Sequence, residues 1–190
     1  MSEIFNQETT VDCISLTPDD TRKLGRSLGE RLPAGSVLAL DGSLGAGKTT
    51  LTAGLAEGLG NVEETSSPTF TILHEYIHPD ARLPLYHFDV YRLSDAAEFQ
   101  SAGLDEYFNY NGICVIEWAK RIQPLLPERT IFVQLERSAE EAAGLVAEKS
   151  DGTVELFEDK LPRRIQFKGS VDEISIVKSA LIAAGLGSVN

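Results

Sequence analysis

The sequence predicts an α/β fold, in which a mainly parallel central sheet lies between two helical layers and carries antiparallel strands at its edges. Three observations predict it. Apolar runs of strand length recur along the chain, helical patterns fall between them, and one strand–helix junction is filled with glycines. With 190 residues and 42% hydrophobic content, residues 1–190 are expected to form a single domain with a substantial core.

Each element has its own signal. Thr17-Pro18-Asp19-Asp20 combines a capping threonine, proline at the first helical position and acids in the first turn. The helix it starts carries Leu24, Leu28 and Leu32 and stops near Pro33. "SVLAL", residues 36–40, is a buried strand, and "TTLTAGLAEGLG" spaces leucines and alanines helically as far as Gly60-Asn61. "TFTILHEYI" (69–77) and "PLYHFDVYRL" (84–93) are rich in β-branched and aromatic residues and are expected as strands. Ser94 is expected to cap a helix holding Ala97, Phe99 and Ala102, closed by Gly103. "GICVIEW" (112–118), "RTIFVQL" (129–135) and "RRIQFKG" (163–169) are further strands. Ser170-Val171-Asp172-Glu173 is a capping box before a last helix bearing Ile174, Val177, Leu181 and Ile182. Residues 138–162 are acidic and are expected as a surface extension, a helix plus a hairpin turning at Ser150-Asp151-Gly152.

Charge and composition exclude several classes of function. A net charge of -12 argues against broad binding to a nucleic-acid backbone, so a nucleic-acid substrate would have to be presented by a partner. Cys13 and Cys114 are too few and too scattered for a disulfide scaffold or zinc site, and Cys114, within "GICVIEW", is expected to be a buried thiol. No apolar stretch approaches the length of a membrane span, and "MSEIFNQETT" lacks a signal peptide's pattern, so a cytoplasmic location is expected.

The glycine-filled junction carries the chemistry. It reads Gly42-x-x-x-x-Gly47-Lys48-Thr49, the phosphate-loop pattern, between a strand and a helix. Glycines let successive N–H groups converge on an anion, and the helix starting near Lys48 adds free N–H groups and the positive end of its dipole. The expected nucleotide-binding set is Gly42, Gly45, Ala46, Gly47, Lys48, Thr49 and Thr50, with Lys48 reaching the β- and γ-phosphates and Thr49 ligating Mg²⁺. A carboxylate must face this loop from the carboxyl end of a strand. Asp89 after "LPLYHF" and Glu117 after "GICVI" both fit, each able to hold Mg²⁺ or to orient a hydrolytic water. His74-Glu75-Tyr76-Ile77-His78 also matches H-E-x-x-H, the zinc-protease pattern. That chemistry needs a helix, whereas these residues read as strand before Pro79, where the two imidazoles would stand about 13 Å apart. No zinc site is expected.

Four stretches in order resemble the bacterial TsaE (YjeE) ATPases of tRNA threonylcarbamoyladenosine synthesis: "LDGSLGAGKTTLTAGLAEGLG", "SSPTFTILHEY", "LYHFDVYRLSDAAEFQSAGLDEYF" and "GICVIEWAKRI". They lie within residues 17–122, and "SPTF", "HFDVYRL" and "IEWA" are the specific parts. Ser43 stands where the family usually has an acid, and the tail after residue 137 is longer than usual. The resemblance implies a phosphate-loop nucleotide-binding fold with weak ATPase activity alone. It also implies a TsaB–TsaD pair as partner, which forms the modified adenosine beside the anticodon of tRNAs reading codons that begin with A. It places Lys48 and Thr49 at the family's phosphate and magnesium positions, Glu117 at its magnesium-associated glutamate and Asp89 at the aspartate of its H-F-D motif. Ser67-Pro68-Thr69 falls at a loop that would sense the γ-phosphate, with Thr69 its hydroxyl, and Trp118 follows the glutamate as it does in the family. Two other classes remain open at this level: a small-molecule kinase using Arg92 and Arg121 on its acceptor, and a nucleotide-gated interaction module without turnover. No guanine-reading motif occurs.

Overall fold

The computed structural model describes residues 8–61, 68, 71–138 and 161–188. Its strands are β1 (Thr9–Ser15), β2 (Val37–Gly42), β3 (Leu73–Tyr76), β4 (Leu85–Asp89), β5 (Ile113–Glu117), β6 (Thr130–Arg137) and β7 (Arg163–Gly169). They form one sheet in the order β1-β7-β6-β2-β5-β4-β3. β6, β2, β5 and β4 run parallel, whereas β3 on one side and β7 and β1 on the other are antiparallel to their neighbours. The expected parallel centre with antiparallel edges is therefore present.

Helices α1 (Pro18–Gly29), α2 (Lys48–Gly58) and α4 (Val171–Ala184) cover one face; α3 (Ala96–Ser101) and two 3₁₀ segments, Leu104–Asn109 and Ala119–Leu125, cover the other. Alternation of side chains along each strand divides the core in two. Leu38, Leu40, Val115, Val133 and Phe167 pack under the long helices, and Val37, Ala39, Phe88, Cys114 and Ile116 pack under the short ones. In β2 the residues on both faces are buried, which explains its unbroken apolar run. β7 alternates buried and exposed residues because only one of its faces is covered.

The predicted capping box of Ser170 with Glu173 forms, and the predicted threonine cap at Thr17 closes into a box with Asp20 as well. α1 and α2 meet on glycines. A Cβ added at Gly25 or Gly29 would lie 2.1 or 2.3 Å from the carbonyl oxygens of Leu51 and Leu55, and one added at Gly54 or Gly58 would lie 2.0 Å from those of Arg22 and Arg26. The helix that begins at the phosphate loop is thus held backbone against backbone.

Several expectations need correction, and others hold. β1 has no strong sequence signal, because Thr9, Thr10, Asp12 and Ser15 dilute its apolar alternation. The second aromatic run ends as a strand at Asp89; Val90 begins a turn that returns to the core through Leu93. β3 is only four residues, with Ile72 before it at φ 67°, a costly conformation for a β-branched residue. The α3 cap is Asp95, whose side chain accepts from Glu98 N, while Ser94 N–H donates to Glu98 Oε2. His74 sits on β3 opposite His87 of β4, so the H-E-x-x-H stretch starts on a strand. Cys114 is buried, and burial pushes its thiol up to about 12. The predicted extension at 138–162 lies almost wholly outside the described residues, as do Ser67 and Thr69. Among the described residues no helix is long and apolar enough to cross a membrane.

Candidate functional site

The site is built at the carboxyl ends of β2, β4 and β5, where the parallel strands deliver their last residues to the start of α2. Leaving β2, the chain must turn sharply under the end of β6. Gly42 makes the close approach, since a Cβ there would lie 2.2 Å from Leu135 O. Gly47 precedes α2 at φ 108°, a conformation L side chains rarely adopt, and it leaves the helix's first N–H groups open. Arg137, at the end of β6, donates from Nε and Nη2 to Gly45 O at 3.3 and 3.0 Å and braces the loop from outside.

Lys48 lies in this loop with its Nζ donating to Gly42 O at 2.9 Å and Ser43 O at 3.1 Å. The same ammonium sits 4.0 Å from the centre of the Trp118 ring. Burial pulls its pKa below the usual lysine value, and the charges of Glu117, Asp89 and Asp41 oppose that fall. Trp118 reaches the lysine because its backbone is left-handed, φ 64°, immediately after β5 ends. Tyr91 packs on Trp118 at 5.0 Å between ring centres.

The two predicted carboxylates come together. Asp89 and Glu117 are register partners on adjacent parallel strands, and both are buried. Thr49 Oγ1 donates to Glu117 Oε1 at 2.8 Å, joining the first turn of α2 to the end of β5. Asp89 Oδ1 accepts from Tyr91 N at 3.0 Å, and Asp89 N donates to Ile72 O at 2.9 Å. With Gly47, Tyr91, Trp118 and Arg163 these groups line a cleft of ≈ 440 Å³. Sequence reasoning thus placed Gly42, Gly45, Ala46, Gly47, Lys48, Thr49 and Thr50 on one turn, and Asp89 and Glu117 opposite it.

It missed two residues. His87 Nε2 lies 3.0 Å from Glu117 Oε1, and Arg163, from the first position of β7, lies against Gly47. The signal for His87 is its place two residues before Asp89 on the same strand, which puts both on one face. Arg163 comes from the far end of the chain and has no local signal. Arg121, a candidate acceptor clamp for a kinase, donates to Leu93 O at 2.9 Å and stacks 5.5 Å from Tyr91.

The donor set is a hydroxyl and two carboxylates, hard oxygens that suit Mg²⁺. Among the described residues no three of His, Cys, Asp and Glu gather into a cage. Mg²⁺ is usually held by one or two carboxylates together with nucleotide phosphates and water.

Comparison with known proteins reaches the same region. The family model described as "Threonylcarbamoyl adenosine biosynthesis protein TsaE" matches residues 15–145. The chain is 40% identical over 149 residues to the tRNA threonylcarbamoyladenosine biosynthesis protein TsaE of Bacillus subtilis (strain 168), spanning 78% of this chain and 92% of that one. It is 46% identical over 123 residues to the protein of the same name from Treponema pallidum (strain Nichols), spanning 65% and 89%. The crystal structure of Bacillus subtilis YdiB superposes with a TM-score of 0.66 at 32% identity, over 93% of this chain and 96% of that one.

Proposed function

Because the chain belongs to the TsaE family of threonylcarbamoyladenosine biosynthesis, we propose that it binds Mg-ATP in this cleft and hydrolyses it, slowly alone and faster with a TsaB–TsaD pair. In this reading the pair forms N6-threonylcarbamoyladenosine next to the anticodon of tRNAs that read codons beginning with A, and the ATPase supports it in the cytoplasm. The observation that carries the nucleotide reading is the bond from Thr49 Oγ1 to Glu117 Oε1 at the head of α2, beside the Lys48 ammonium. It gathers on one edge an anion-binding helix start, a cation for phosphate, and hard oxygens for Mg²⁺.

The residues divide the work. The N–H groups of Gly45, Ala46, Gly47, Lys48, Thr49 and Thr50 cradle the phosphates, and Lys48 exchanges its carbonyl partners for phosphate oxygens. Thr49 and Glu117 hold Mg²⁺, whose charge offsets that of the phosphates, while Asp89 orients the attacking water. Thr69, which follows α2 in the sequence, senses the γ-phosphate. The net charge of -12 supports contact with tRNA only through the partner pair.

The test is ATP hydrolysis by the purified protein with and without TsaB–TsaD, compared with Lys48→Ala. The reading expects stimulation by the pair, and at least about a tenfold loss of affinity or turnover in a folded variant. Unchanged binding and hydrolysis in Lys48→Ala would remove the phosphate-loop assignment. Binding without turnover, even with the pair present, would leave a nucleotide-gated module.

A further inference from the structure

Glu117 is held from two sides. Its Oε1 accepts from Thr49 Oγ1 at 2.8 Å and lies 3.0 Å from His87 Nε2, so Oε2 carries neither bond. Glu117 is 3% exposed and His87 0%. His87 lies two residues before Asp89 on β4, on the face that Glu117 shares, and Tyr76 lies alongside it at 6.5 Å between ring centres, 25° from parallel. Its Nδ1 is buried with no hydrogen-bond partner among the described residues. An ionised carboxylate can only accept, so the contact needs a proton on Nε2. The neutral tautomer with Nε2–H satisfies Glu117 and leaves Nδ1 as a bare lone pair, whereas a proton on Nδ1 would be a buried donor with nothing to receive it.

We propose that His87 is a positioning residue for Glu117: its Nε2–H fixes the carboxylate at the head of the phosphate-loop helix, where the cation of a magnesium–nucleotide complex is received. The proposal rests on the Mg-ATP reading of the site. The Thr49 hydroxyl stands at the cleft and is free to turn towards a cation, but the imidazole lies behind the carboxylate in the core. Its bond therefore persists whether or not nucleotide is present. A carboxylate anchored in this way loses less freedom on taking up a cation, as with the partners that orient metal ligands elsewhere.

The test is calorimetric titration of the full chain with ADP and with a non-hydrolysable ATP analogue, each with and without Mg²⁺, alongside ATP turnover. His87→Leu removes the donor. It is expected to raise the Mg²⁺ concentration needed for half-maximal nucleotide binding by roughly 10–100-fold and to lower turnover similarly, leaving magnesium-free ADP affinity within about threefold. His87→Gln, whose side-chain amide can reach the same oxygen, is expected to recover most of the magnesium dependence. His87→Asn is polar but too short, and it should behave like His87→Leu; it supplies the measurement if the leucine variant does not fold. Wild-type magnesium dependence in His87→Leu or His87→Asn overturns the proposal. So does an equal loss of magnesium-free and magnesium-bound affinity that His87→Gln fails to restore, because that is the mark of a structural role alone. Nucleotide binding by the wild type with no magnesium dependence would overturn the Mg-ATP reading itself, and this proposal with it.

Discussion

Glu117 and Asp41 lie at the carboxyl ends of neighbouring parallel strands, one last and the other next to last, and both are nearly buried, yet they face opposite sides of the sheet and have different partners. Glu117, on the long-helix side, accepts from Thr49 and contacts His87, with the Lys48 ammonium near. Asp41, on the short-helix side, is 9% exposed, and among the described residues its carboxylate has one long hydrogen-bond contact, at 3.5 Å from Lys120 N. Burial pushes its carboxyl above the usual value, a rise that the Lys120 backbone bond and the charges of Lys120 and Lys48 only partly offset. For Asp41 burial favours the neutral form, and its one long backbone contact does little to oppose it. At this edge the donors are concentrated on one face, and that is the face of the phosphate loop.

The same division runs through the whole core, and substitutions can probe it. The largest effect is expected on the short-helix side, where Phe88 is fully buried and packs edge-on or tilted against Phe99 and Tyr107. Phe88→Ala should cost about 3–5 kcal/mol, read from urea unfolding, because no long helix is available to settle into the space. On the other side the glycine contact should resist enlargement. Gly54→Ala sets a methyl 2.0 Å from Arg22 O, backbone against backbone, and should cost roughly 1–3 kcal/mol in the same assay. A substitution at Gly54 that proved neutral would show that α1 and α2 slide freely, and the contrast between a rigid and an adaptable layer would fail.

The smallest expected effect concerns the less well-partnered carboxylate, Asp41. Asp41 binds its proton more tightly folded than unfolded, so between the unfolded value near 3.8 and its raised folded value the native state holds more protons. Stability contributed by that proton is present below pH 3.8 and is lost as pH rises through the folded pKa. Asp41→Asn removes the penalty, so its stability relative to the wild type should rise with pH across that window and then level off. Thermal unfolding at a series of pH values measures this, and a difference that does not vary with pH would mean that Asp41 is effectively solvated.

Much of this was legible in the chain. The capping boxes at Thr17 and Ser170, the apolar runs of β2 and β5 and the Gly42–Thr49 pattern are local signals. In each, a few adjacent residues fix one hydrogen-bonding or packing outcome. The Asp95 cap shows the limit of such signals, because Ser94 and Asp95 are both good caps and only the return of the chain through Leu93 decides between them. The same fold class requires an acid facing the loop from a strand's carboxyl end, and Asp89 and Glu117 are the residues that meet it.

The sequence by itself determined the strand–loop–helix unit, the two strand-end carboxylates and the net charge of -12, since all three follow from residue type and short spacing. Only the tertiary structure decided that His87 faces Glu117, that Arg163 from β7 lies against Gly47, and that α1 and α2 touch through four glycines. The physical reason is distance along the chain. Thirty residues separate His87 from Glu117, and Arg163 and Gly47 lie further apart still. Contacts of that kind are set by strand order and register, which depend on how every strand shares out the core rather than on any one segment.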